Sequence, residues 1–330
     1  MSVLVTGAGG FLGLHIVEQL VARGERVRAL SRGRYVALER LGVECVQADV
    51  RDAKAVRDAL EGIHVVYHTA AVAGIWGPWR HYHATNTQGT HNVIAGCRAQ
   101  GVRKLVFTSS PSVTFDLQHQ CHIDESAPYP ARWLCHYPHT KALAEQAVLG
   151  ANGQERLLTC ALRPHLIWGP RDPHLVPRLL RRARSGRLRQ VGDGSNLIDM
   201  VCVENAARAH LLAADAMSDG SPVCGRAYFI SQGEPVNCWQ WINDVLALAG
   251  LPPVRKRISF PAAWRIGAVC EAVYRLCGIR REPPMTRFLA AQLAKSHYFD
   301  IRRARDDFNY VPQVSTSEGM DRLRRVVAEM

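Results

Sequence analysis

The 330-residue chain has ten cysteines but no C-x-x-C pair, an absence that argues against a zinc ribbon or a disulfide framework and leaves the thiols as small, reduced hydrophobes. It has no run of 18 uncharged apolar residues, so no membrane-spanning helix is expected. The nearest approach, SFPAAWRIGAVCEAVYRLCGI at 259–279, is broken by Arg265, Glu271 and Arg275. It reads as an amphipathic helix that covers a core or a substrate cavity, and flanking Trp264 and Tyr274 keep peripheral membrane contact open. The opening MSVLVTGAGG carries neither the basic region nor the apolar run of a secretory leader, and a cytoplasmic location is expected. Internal repeats and low-complexity linkers are also missing.

Acidic residues are in deficit, 29 against 41 lysines and arginines, for a formal charge of +12. The run Arg178, Arg181, Arg182, Arg184, Arg187 and Arg189 alternates with leucines at helical spacing, and no nucleic-acid motif accompanies it. A solvated helix face is expected, with no nucleic-acid partner; an anionic substrate, an acidic partner or a membrane surface stays open. The near pairs His81 and His83, His119 and His122, and His136 and His139 lack a third and fourth ligand, so no metal is expected.

What is present is alternation. SVLVT at 2–6 is a short apolar strand, followed by glycines and by FLGLHIVEQLVARG, whose apolar residues recur at helical spacing. Further strands are expected at RVRAL, VECVQAD, VVYHTAA, KLVFTSS and LTCALRP, with helices at DAKAVRDALEG, TQGTHNVIAGCRAQG and around Tyr137. Strands alternating with helices imply an α/β fold with a doubly wound parallel sheet. Beyond about residue 170 the regularity fades, although RAYFIS still reads as a strand. The expected division is a dinucleotide-binding domain at 1–170 and, at 171–330, a smaller interleaved C-terminal substrate lobe with some segments returning to the sheet.

Gly7, Gly10 and Gly13, in TGAGGFLG, fall between the first strand and the first helix, where small residues let backbone amides approach a pyrophosphate. Phe11 and Leu12 share that turn. An acid at the end of the second strand would bind a ribose 2′-hydroxyl and repel a 2′-phosphate. Here the strand runs into Ser31 and Arg32, and no acid occupies the position. NADP(H) is therefore expected, with Arg32 as phosphate partner and Ser31 as a supporting donor; NAD(H) stays open. Asp49 and Val50, after the third strand, are placed to meet the adenine.

Tyr137 and Lys141, in HYPHTKALAE, lie four apart and so share a helix face. TSSPSV at 108–113 ends a strand in hydroxyls, at the carboxyl edge where ligands bind in open α/β sheets. A ketone held between a serine and the phenol would take the phenol's proton as hydride arrives from a nicotinamide. An ammonium about 5 Å from the phenol, at an effective dielectric near 20, contributes about 3 kcal/mol, enough to bring a phenol from about 10 to about 8 before other effects.

These segments resemble the extended short-chain dehydrogenase/reductases. The resemblance rests on TGAGGFLG, HTAA at 68–71, NTQGTHNV at 86–93, TSSPSV, YPHTK and RPHLIWGP at 163–170, and it covers nearly the whole chain. It implies a Rossmann fold, Tyr137 as acid/base, Lys141 as its partner and Ser110 as the hydroxyl that polarises the carbonyl, with Ser109 the rival. It also implies that Ala70, Asn86, Pro164 and His165 border the cofactor. The serine strand and the tail YFDIRRARDDFNYVPQVSTSEGM are similar to the 3β-hydroxysteroid dehydrogenase branch.

Within that branch, AGIWGPWRHYHATN, VGDGSN, AYFISQGEP and EPPMTRFLAAQL resemble the bacterial reductases of long-chain olefin biosynthesis. That likeness implies NADPH-dependent reduction of a lipid-like β-keto acid, a 2-alkyl-3-oxoalkanoic acid, to its 3-hydroxy acid. A homodimer and partner enzymes of the olefin pathway are implied with it. Trp76, Trp79, Trp168 and the 259–279 helix are candidate walls for the alkyl arms. Two other readings stay open: an NAD(P)-dependent 3β-hydroxysteroid or sterol dehydrogenase, and a non-catalytic dinucleotide sensor or scaffold.

Overall fold

The computed structural model describes residues 1–327. Seven parallel strands form the central sheet: β1 (Ser2–Thr6), β2 (Arg26–Ser31), β3 (Glu44–Gln47), β4 (Val65–His68), β5 (Lys104–Thr108), β6 (Leu158–Pro164) and β7 (Ala227–Ile230). Their order is β3-β2-β1-β4-β5-β6-β7, the doubly wound Rossmann arrangement. Chain order reverses between β1 and β4, which opens a crevice at the carboxyl edge there.

Alternation along the strands fills both faces. Val3 and Val5 of β1 point into one core with α1 (Phe11–Ala22) and α6 (Val203–Ala216), whereas Leu4 points into the other. The second face is covered by α2 (Ala53–Ala59), α3 (Gly89–Ala99) and α4 (His136–Gly150). The third strand is shorter than 43–49 because it is an edge with one neighbour; the ladder ends with the Ala48 N–H on the Ser31 carbonyl. Asn86 does not precede its helix but lies inside a π-helical turn, His83–Gln88, that runs into α3. Such turns displace side chains by one position and gather at functional sites.

The remaining chain both returns to the sheet and builds a second core. Trp168, Trp241, Ile242 and Val245 pack there with Val176 and Leu180 of α5 (Leu175–Arg184). Helix α5 stops at Ser185 and turns through Gly186 at φ +64°, so Arg187 and Arg189 lie beyond it. The amphipathic helix is α7 (Phe260–Leu276), packed on α8 (Arg287–Ala294). Its buried face is made of small residues and one acid: Ala263, Gly267 and Glu271 face inward, whereas Ile266, Val269, Val273 and Leu276 are exposed. Close approach is the reason, since a Cβ on Gly267 would lie 2.6 Å from the Thr286 carbonyl carbon. Among the described residues no helix is long and apolar enough to cross a membrane.

A small mixed sheet joins the halves: Val236–Asn237, Leu197–Ile198, His297–Phe299 and Gln120–Ile123, in that order. It brings His297 from the far end of the chain beside the loop that follows β5.

Candidate active site

The glycine loop leaves β1 with the Gly7 N–H on the Leu30 carbonyl at 2.9 Å and closes with the Gly10 N–H on Gly7 O at 2.8 Å. Gly7 sits at φ +68°, and a Cβ on Gly13 would come 2.2 Å from the Gly7 carbonyl oxygen. A side chain at Gly13 would thus push the loop from α1, and one at Gly7 would meet the Ala70 backbone at 2.8 Å. No side chain caps α1 and its first turn has no acid, so its amides are free to receive an anion.

That loop lines a cavity of about 420 Å³. Gly7, Gly10, Phe11, Leu12, Gly13, Ser31, Arg32, Asp49, Val50, Ala70, Ser110, Tyr137, Lys141 and Pro164, spread through the sequence, all meet on its wall. The residues fit a nicotinamide dinucleotide: an uncapped helix end for the pyrophosphate and a cationic end at Arg32. Among the described residues the Arg32 guanidinium makes no ion pair. Ser31 is less free than expected, because its hydroxyl donates to the Gly33 carbonyl at 2.9 Å. Asp49 is likewise engaged, accepting from Arg51 at 2.7 and 3.0 Å, which holds its carboxyl below the usual range.

Two expected neighbours are placed differently. Asn86 is buried and does not line the cavity; it accepts from the Val72 N–H at 2.7 Å and donates to Val72 O and the Thr140 hydroxyl, both at 3.1 Å. It fastens the loop after β4 to α4, behind the wall. His165 turns away from Pro164 into a second cavity of about 250 Å³, lined also by Phe115, Phe288 and Phe299.

The two cavities share Ser110, Tyr137 and Leu166. Ser110 follows β5 and caps a short 3₁₀ turn, with its Oγ 2.8 Å from Ser112 Oγ. Ser109 lines only the first cavity. Lys141 is buried, donates to the Thr108 carbonyl, and sits 3.9 Å over the Phe107 ring.

Burial decides the electrostatics. It pushes the Tyr137 phenol up, against a smaller pull down from the Ser110 hydroxyl, and pushes Lys141 down to about 7, with Glu145 opposing. Desolvation disfavours both charged forms, and it moves the phenol up rather than down.

Supporting residues escaped the sequence. Glu145 continues the series Tyr137, Lys141 on α4 and takes two hydrogen bonds from Arg163 of β6, at 2.6 and 3.0 Å. Fully buried His68 bridges Thr6 and Thr90 hydroxyls at 2.7 and 2.9 Å, and burial lowers it to about 3. The i+4 spacing from Lys141 was the one available signal for Glu145; His68 opens the HTAA motif, but nothing there told of its bridge between two threonines.

The tryptophans do not wall this site. Trp168 is fully buried against Trp241. Trp79 packs among His83, His136 and His139, ring centroids 4.9–5.5 Å away. Trp76 lies in an adjoining surface groove, donating to the Ile279 carbonyl at 3.1 Å. Their size suggested pocket aromatics, but packing and lobe contacts claim them. The 259–279 helix also stays behind the second cavity, where Phe260 and Trp264 support Phe288.

A dinucleotide cavity that opens through a serine and a tyrosine into an apolar chamber defines the extended short-chain oxidoreductases. The chain belongs, more narrowly, to the 3-beta hydroxysteroid dehydrogenase/isomerase family, whose family model matches residues 4–262. It is 50% identical over 327 residues to a 2-alkyl-3-oxoalkanoate reductase of Stenotrophomonas maltophilia, covering 98% of each chain. A protein of the same description from Shewanella oneidensis is 49% identical over 327 residues, covering 97% of this chain and 84% of its own. Among solved structures, MoeE5 in complex with UDP-glucose and NAD superposes with a TM-score of 0.77 at 25% identity, covering 100% of this chain and 99% of that one.

Proposed function

We propose that the protein is an NADPH-dependent reductase that converts a 2-alkyl-3-oxoalkanoic acid to the 2-alkyl-3-hydroxyalkanoic acid in long-chain olefin biosynthesis. One observation carries the reading: the glycine-loop cavity and the aromatic cavity meet at Ser110 and Tyr137. The half-identical relatives described as 2-alkyl-3-oxoalkanoate reductases support the substrate class. Residues 1–170 hold the dinucleotide and 171–330 supply most of the substrate lobe.

A bound nicotinamide supplies the hydride. The substrate's ketone oxygen lies between the Ser110 and Tyr137 hydroxyls; Ser110 donates a hydrogen bond, and Tyr137 transfers its phenolic proton to that oxygen as the carbon is reduced. A phenol pushed upward by burial stays protonated at neutral pH, the state reduction needs. Lys141 stabilises the phenolate left behind. The bare Arg32 and the lack of an acid at the end of β2 support NADP(H) over NAD(H).

Purified protein is mixed with NADPH and a synthetic 2-alkyl-3-oxoalkanoate, and nicotinamide absorbance is followed. Turnover is expected, faster than with NADH. Binding of NADPH without turnover would favour a dinucleotide sensor; oxidation of a 3β-hydroxysteroid in a parallel assay, with no ketoacid reduction, would favour the sterol reading.

A further inference from the structure

The second cavity is nearly devoid of charge. Phenyl rings and Ile75 line much of it, and its two histidines are held neutral by burial, His297 lowered to about 4 and His165 well below its usual value. Among the described residues its wall carries one permanently charged side chain, Arg178 of α5. Of the five N–H donors of this guanidinium, one makes a hydrogen bond among the described residues, from Nη2 to the Glu282 carboxylate at 2.5 Å. Arg182 draws on the same carboxylate at 3.7 Å, so two cations share one anion. A positive charge with spare donors is left at the rim of an apolar chamber.

The polar atoms deeper in the wall are of the other kind. Among the described residues Gln120 Oε1, His165 Nδ1 and His297 Nδ1 have no hydrogen-bond partner. One of the two Gln120 amide N–H groups is spent on the Thr114 carbonyl at 2.7 Å, and His297 Nε2 donates to the Gln292 carbonyl at 2.9 Å. The unpartnered Gln120 Oε1 and His297 Nδ1 therefore present lone pairs, which suit a hydroxyl or a water and repel a carboxylate.

We propose that Arg178 anchors the substrate's carboxylate, setting the preference for 3-oxo acids over neutral ketones and esters; this rests on the reductase reading above. The acid group enters beside α5, exchanging for part of the Glu282 contact. Arg178 is a specificity-determining residue and takes no part in proton transfer.

Because β-keto acids decarboxylate on storage, the test runs in the oxidative direction, with a stable 2-alkyl-3-hydroxyalkanoate, its methyl ester and NADP⁺. Arg178→Gln is expected to raise KM for the acid about ten- to hundredfold, the range of a hydrogen bond to a charged group, with kcat changed far less. The acid-over-ester ratio of kcat/KM should collapse, and Arg178→Lys should restore part of it. Glu282→Gln, which frees the guanidinium, should lower KM for the acid. NADPH binding followed by fluorescence reports that each variant is folded. An unchanged acid-over-ester ratio in folded Arg178→Gln overturns the assignment while wild-type turnover leaves the reductase reading standing. Should Arg178→Gln fail to fold, a raised KM in Glu282→Gln overturns it instead. A wild-type protein that oxidises neither compound overturns the reductase reading and the assignment together.

Discussion

The Glu145 carboxylate and the Arg163 guanidinium meet in a two-pronged ion pair at 2.6 and 3.0 Å, with 0% and 4% of their side chains exposed. The pair ties the helix that carries Tyr137 and Lys141 to the strand that ends at Pro164. Removing one partner strands the other charge without solvent, at a cost of about 3–5 kcal/mol. Glu145→Gln should lower stability by that order in denaturant unfolding, whereas Glu145→Leu combined with Arg163→Met should cost less than either change alone. Additive losses would show that the two residues act independently.

Tyr137→Phe removes the proposed proton donor and should leave the dinucleotide cavity intact. Turnover should fall by about 10²–10⁴, the usual contribution of a positioned acid, with NADPH affinity changed little. A folded variant that reduces its ketone at the wild-type rate defeats the mechanism.

Lys141 carries a charge that the folded protein disfavours. Its ordinary value is 10.5 and burial brings it to about 7. Between those values the unfolded chain binds a proton that the folded chain does not, so stability from this group rises as pH climbs from 7 to 10.5 and is lost on the way down. Lys141→Met should therefore be more stable than wild type at pH 6–7, with the gain shrinking toward alkaline pH, and should turn over poorly. Thermal unfolding across that pH series is the measurement; a gain that grows with pH contradicts the burial argument.

Arg32 reaches the dinucleotide cavity without an ion-pair partner among the described residues; Asp49, on the same wall, is engaged by Arg51. Arg32→Asp should weaken NADPH binding by about 1.5–3 kcal/mol, the scale of a charge-assisted hydrogen bond, and leave NADH binding unchanged or improved. Fluorescence titration with both dinucleotides decides it. Equal losses for the two would move the 2′-phosphate site elsewhere.

Much of this was legible because it is local. Strand β6 is LTCALRP in sequence and Leu158–Pro164 in structure. The glycine loop and the Tyr137 to Lys141 spacing each occupy one strand-to-helix turn or one helical face. The second cavity was not legible, because Gln120, Arg178, Phe288 and His297 converge only after strands distant in sequence pair. Trp168 misled for a related reason: whether an aromatic ring meets a ligand or a neighbour such as Trp241 depends on tertiary packing. The direction of the Tyr137 shift was not legible either, because desolvation depends on burial that only the fold sets.

Strand β7 is contributed by residues 227–230 yet hydrogen-bonds along β6, all seven of whose residues are buried. A chain cut after residue 170 would present that row of unpaired amides and carbonyls as an open seam, with α1 also stripped of its cover from α6. The N-terminal portion is thus no transplantable nucleotide module; severed, it should aggregate, and swapping substrate lobes between relatives requires carrying residues 203–230 with the acceptor's own sheet.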